Sequence, residues 1–139
     1  MLIGAHVSTA GSLAKAVGRG EEIGCDSIQI FNQSPRAWKP TSYTEENFAE
    51  FREAMKASRI ERVIIHAIYL INTVTPDREL AGKSRAALIH ALRVGDAIGA
   101  DGVVLHPGSR KQEEIVPAII RSGELIGEAL SESGSCPVL

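Results

Sequence analysis

The sequence predicts an α/β protein in which parallel strands alternate with helices. Three observations predict it. Short runs rich in β-branched residues recur along the chain, and each is followed by a longer stretch with helical spacing. Two of the runs, Arg62–His66 and Gly102–His106, close on a histidine at the carboxyl end of the strand, where α/β folds gather their ligands.

Residues 2–7, Leu-Ile-Gly-Ala-His-Val, read as the first strand, and 11–23 as a helix weakened by Gly18 and Gly20. Residues 27–31 form the second strand and open into a polar loop, 32–43. Thr44 has the chemistry of an N-cap, Glu45 and Glu46 suit the positive end of the helix dipole, and Phe48, Phe51 and Met55 mark a core-facing stripe. The third strand ends at His66. After loop 67–74, Thr75-Pro76-Asp77 predicts an N-cap followed by proline at the first helical position, in a helix that runs to Ile98 and stops at Gly99. The strand ending at His106 precedes a fourth helix over 113–130, with Pro117 tolerable only near its first turn. Ser133-Gly134-Ser135 leads into Cys136-Pro137-Val138-Leu139, the start of a fifth strand.

Strict β-α alternation predicts right-handed crossovers in a doubly wound sheet or a closed barrel. A (β/α)8 barrel needs roughly 250 residues, so the 139 residues here, ending within a strand, predict its first four β-α units and the start of strand 5. Two unpaired sheet edges and an apolar inner face are expected to make residues 1–139 self-associate.

Composition narrows the classes. Hydrophobic residues make up 44% of the chain, enough for one core, and no apolar stretch suggests a membrane span or a secretory leader. The two cysteines, Cys25 and Cys136, suit small buried hydrophobes in a reducing cytoplasm. A net charge of -2, from 15 Lys and Arg against 17 Asp and Glu, gives no electrostatic sign of a nucleic-acid partner, so any such reading rests on particular residues.

Neighbouring parallel strands lie about 4.8 Å apart. Two imidazole nitrogens on one tetrahedral zinc sit roughly 3.3 Å from each other, a difference that side-chain rotamers close. His66 and His106 can therefore share a metal; the alternative is two hydrogen-bonded core histidines. His6 faces the same rim, as a substrate contact or as the partner of a structural bond to the Ser8 turn, whereas His90, inside the third helix, reads as a packing or surface residue. Loop 32–38 carries Arg36 and Trp38, and Tyr69-Leu70 follow His66. These aromatics either anchor loops or, with the guanidinium, act as wedges that enter a base stack and hold a nucleotide outside it.

Ile3-Gly4-Ala5-His6-Val7-Ser8, Phe31 with Asn32-Gln33 leading to Arg36 and Trp38, His66 with Tyr69-Leu70-Ile71-Asn72, and His106-Pro107-Gly108-Ser109 resemble, in order and spacing, the endonuclease IV family of apurinic/apyrimidinic endonucleases. The resemblance spans essentially the whole chain. It implies an α/β (β/α)8 TIM barrel with three Zn2+ ions at its carboxyl face, cytoplasmic and monomeric when complete. It implies hydrolysis of the phosphodiester 5′ to an abasic site in double-stranded DNA, and removal of blocking groups from 3′ ends. His66 and His106 match histidines that bind one zinc; Arg36, Tyr69 and Leu70 match residues that penetrate the DNA; His6 and Ser8 match a motif assigned to active-site support.

Ile68 stands where many relatives have proline. The family's bridging glutamate would follow shortly after Leu139, and its other ligands come from the second half of the barrel. Residues 1–139 therefore supply at most two protein ligands, where a catalytic zinc usually takes three, and are expected to bind metal weakly and to be inactive alone. The rival readings are a metal-dependent sugar isomerase or epimerase on a barrel of similar plan, and a non-catalytic module.

Overall fold

The computed structural model describes residues 1–139 as four β-α units: β1 Gly4–His6, α1 Ala14–Glu22, β2 Ser27–Phe31, α2 Glu45–Ala57, β3 Arg62–His66, α3 Arg78–Ile98, β4 Val103–Val104 and α4 Ile115–Glu132. The strands lie in the order β1-β2-β3-β4 and every neighbouring pair is parallel. This is the (β/α)8 TIM-barrel plan over four of its eight units. The expected fifth strand is a single parallel bridge, Val138 to Val103, with the Leu139 N–H donating to the Val103 carbonyl at 2.8 Å.

Register divides the sheet into two faces. Ile28, Ile30, Val63, Ile65 and Val103 point toward the helices and are buried with Leu13, Val17, Phe51, Leu88 and Leu92 in one core. The opposite face carries His6, Ser27, Gln29, Phe31, Arg62, Ile64, His66 and Val104. The expected apolar inner face is thus corrected. Ser27, Gln29 and an Arg62 paired with Asp101 at 2.9 Å stay polar because this side of the sheet retains solvent. Exposed apolar groups gather instead beside β1 (Leu2, Ile3) and on α4 (Ile115, Val116, Ile119, Ile120). No helix is long and apolar enough to cross a membrane.

Several boundaries move, each for a local reason. α1 begins at Ala14 rather than residue 11, because Gly11 takes φ +91° in a turn before it. α2 has the expected Thr44 cap, reciprocated by the Asn47 side chain, and Phe51 is its only buried residue, with Phe48 and Met55 packed partly against the core. The N-cap of α3 is Asp77, not Thr75. The Asp77 carboxylate accepts from the N–H groups of Glu79 at 2.9 Å and Leu80 at 3.1 Å, where the helix dipole favours an anion, so Pro76 lies outside the helix. Gly99 ends α3 with φ 72°, as expected. α4 starts at Ile115, which places Pro117 in the first turn, where its missing N–H breaks no helical bond. β1 and β4 are shorter than expected, and β4 stops two residues before His106 as the chain turns toward Pro107 and Gly108.

Asp96 fastens the carboxyl-terminal segment. It accepts from the N–H groups of Gly134, Ser135 and Cys136 at 2.9, 2.7 and 2.8 Å, and from the Ser135 hydroxyl at 3.1 Å. Asp96→Ala orphans these donors and is expected to lower unfolding stability by about 1–3 kcal/mol, read as a reduced denaturant midpoint. Both cysteines are free and buried, and burial, helped by Asp96 and Asp101, pushes the Cys136 thiol up to about 11, as suits a packing residue. His90 is half-buried on α3, its Nε2 enclosed without a partner, and desolvation holds its pKa below the usual histidine value.

Candidate metal centre

Parallel register builds the site. Phe31, His66 and Val104 are partners across β2, β3 and β4, and His106 follows Val104 by two residues. The four carboxyl strand ends thus bring His6, Phe31, His66 and His106 to one rim, as the alternation of side chains along a strand requires.

The His66 and His106 ring centres are 5.1 Å apart. Two imidazoles on one tetrahedral zinc, each about 2.0–2.1 Å from it, have ring centres about 5.2 Å apart. The His66 Nδ1 lies 2.6 Å from the Ala67 carbonyl. A carbonyl only accepts, so Nδ1 carries the proton and the Nε2 lone pair is free, the form in which histidine binds a metal. Spacing and tautomer both fit a zinc ligand pair. No group of three His, Cys, Asp or Glu side chains converges on it, so these residues supply part of a ligand set rather than all of it.

His6 is set differently. Its ring centre is 4.4 Å from Phe31 and 6.4 Å from His66; one zinc at about 2.0–2.1 Å spans the latter distance only with the two nitrogens nearly opposite each other. Its Nδ1 is bound 2.9 Å from the Gln29 side-chain amide, not to the Ser8 turn. Burial first, and His66 second, hold the His6 pKa below the usual histidine value, which favours the neutral ring. Ser8 has its own local role: its hydroxyl accepts from the Ala10 N–H at 3.1 Å, and its carbonyl accepts from Arg19 at 2.6 Å.

Tyr69 is 61% exposed, with its ring 5.6 Å from His66 and 5.3 Å from Phe31. Its N–H donates to the Pro35 carbonyl at 3.0 Å, tying its loop to the one that carries exposed Arg36. Leu70 is packed partly against the core, as is Trp38, which anchors its loop. The rim therefore presents an aromatic face beside His66, with the loop that carries exposed Arg36 tied to the Tyr69 loop and Leu70 set deeper. A cleft of about 480 Å³ adjoins it, lined by His6, Ser8, Phe31, Ser34 and Tyr43 among others.

Phe31 and Asn72 are the residues that reading for titratable groups passes over. Phe31 touches His6, His66 and Tyr69, and the sign of it was its place at the end of β2, equivalent to that of His66 on β3. Asn72 and Thr73 clamp the Tyr69 loop to the turn after His106: the Asn72 amide donates to the Ser109 carbonyl at 3.1 Å, and the Thr73 N–H and hydroxyl donate to Pro107 at 2.8 and 3.0 Å. Gly108 makes the clamp possible. It has φ +98°, and a Cβ there would lie 2.5 Å from the Asn72 Oδ1 and 2.8 Å from its Cα. Gly108→Ala is expected to destabilise the fold by about 1–3 kcal/mol, with amide shift changes concentrated in residues 69–73 and 106–109.

The sequence profile of the xylose isomerase-like TIM barrel family matches residues 17–135. The protein named "Probable endonuclease 4" of Methanoculleus marisnigri is 41% identical over 136 residues, covering 93% of this chain and 48% of that protein. Endonuclease IV from Thermus thermophilus superposes with a TM-score of 0.77 at 34% identity, over 91% of this chain and 48% of the other. A D-tagatose 3-epimerase-like protein superposes with a TM-score of 0.66 at 15% identity, a likeness of fold alone. The chain spans about half the length of the curated relatives it matches.

Proposed function

This chain belongs to the xylose isomerase-like TIM barrel family, within which its relatives are endonuclease 4 proteins, and we propose that residues 1–139 form the N-terminal half of an AP endonuclease domain. The complete domain is a cytoplasmic, monomeric, zinc-dependent DNA-repair enzyme that hydrolyses the phosphodiester 5′ to an abasic site and clears blocked 3′ ends. The observation that carries this reading is the His66–His106 pair at metal-sharing distance, with exposed Tyr69 beside His66 and exposed Arg36 on the loop that Tyr69 is bonded to.

Each residue has a role in that reaction. His66 and His106 would hold one zinc through imidazole nitrogens, a donor set that suits zinc better than Mg2+, which prefers oxygen. The bound metal supplies a Lewis acid and an activated water. Arg36 pairs with backbone phosphate, and the Tyr69 ring and Leu70 fill the gap left when the abasic nucleotide leaves the stack. A small sugar would give no use to a projecting arginine and tyrosine, which sets the epimerase reading second. Two ligands do not complete a catalytic zinc site, so residues 1–139 alone are inactive and self-associate through their open edges.

Joining residues 1–139 to the C-terminal half of the Thermus thermophilus enzyme tests the reading. The chimera is expected to cleave an abasic duplex in a zinc-dependent manner while residues 1–139 alone do not. A folded, zinc-loaded chimera that leaves the duplex intact would overturn it.

A further inference from the structure

We propose that Gln29 is a positioning residue that holds His6 in the tautomer opposite to that of His66, so that His66 offers a lone pair to metal and His6 offers an Nε2–H hydrogen bond to a phosphodiester oxygen. The two histidines lie on one face of the sheet, one register step apart along the strands. His6 is the direct cross-strand partner of Gln29, and His66 that of Phe31. Their Nδ1 atoms meet opposite chemistry. The Ala67 carbonyl at 2.6 Å has no proton to give, so the His66 Nδ1 donates. The Gln29 amide nitrogen at 2.9 Å does, so the His6 Nδ1 accepts and its single proton sits on Nε2.

Both nitrogens of His6 are then closed to metal, one by the amide and one by its own proton. That sorts two neighbouring histidines into a ligand and a neutral donor without any difference in residue type. His6 borders the 480 Å³ cleft together with Ser8, Thr9, Ser34, Thr41 and Ser42, a cleft that no carboxylate lines, and it also borders a second cleft that reaches Arg62 and Asp101. The N–H and O–H donors around the first cleft suit the phosphate oxygens of a nucleic-acid backbone. Only this last step, what the proton meets, rests on the proposed function.

Nitrogen NMR of the four imidazoles in the metal-free chain tests it, at about pH 8, where a histidine of ordinary pKa is neutral. The expected spectrum has an unprotonated Nδ1 and protonated Nε2 at His6, and the reverse at His66. In Gln29→Glu the carboxylate accepts, so His6 is expected to switch to the Nδ1–H form while His66 stays unchanged. In Gln29→Leu, His6 is expected to become a mixture. A protonated Nδ1 at His6 in the unsubstituted chain, or a His6 tautomer that neither substitution moves in a folded variant, would overturn the proposal. The unsubstituted spectrum decides alone if the variants do not fold. Failure of the chimera to cut DNA would leave these spectra as they are, so the two proposals fail separately.

Discussion

His106→Ala in the chimera is expected to lower abasic-duplex cleavage by at least about 100-fold, since losing even an outer partner of a metal ligand costs 10–100-fold and this change removes a proposed ligand itself. His66→Ala should do the same. If the two rings, 5.1 Å apart, hold one ion as proposed, the double variant should be little worse than either single. Additive losses would mean that the histidines serve separate steps. His90→Ala, on α3 and away from the rim, is the control that should leave cleavage intact.

Phe51→Ala is expected to cost about 3–5 kcal/mol of unfolding free energy. Phe51 is fully enclosed and is the only buried residue of α2, so no neighbour on that helix can take over its place against the core. Domains of ordinary size hold only about 5–15 kcal/mol, so the variant should melt at a markedly lower temperature. A melt within a few degrees of the unsubstituted chain would show that α2 contributes little to the fold.

The fold was legible where one kind of residue decides. β-branched runs placed β2 and β3 at their observed bounds, and Gly99 ended α3 because its left-handed backbone suits glycine. It was less legible where two candidates competed. Thr75 and Asp77 can both cap a helix, and the carboxylate prevails because it accepts two N–H groups at the dipole's positive end. The polar inner face was missed because Ile64 and Val104 alternate with Ser27, Gln29 and Arg62 across different strands, a pattern that appears only once the register is known.

The site was legible in its titratable members and not in their supports. β-branched runs that close on histidine mark His66 and His106 as a candidate pair in the sequence itself. Gln29, Phe31 and Asn72 work through contacts between segments more than 20 residues apart, as in the Gln29–His6 and Asn72–Ser109 bonds; the place of Phe31 at a strand end marked its position, but nothing local in the sequence showed what any of the three touches. Leu70, read from the sequence as a wedge beside Tyr69, is partly packed against the core, a degree of burial that the sequence did not show.

The most direct measurement of the shared metal site is a zinc titration of the 139-residue chain followed at its histidine nitrogens. The Nε2 signals of His66 and His106 are expected to shift together along one binding curve, weakly, as two ligands allow, while His90 stays unmoved. Separate curves for the two histidines, or zinc shifts confined to other residues, would contradict a shared metal at the carboxyl rim.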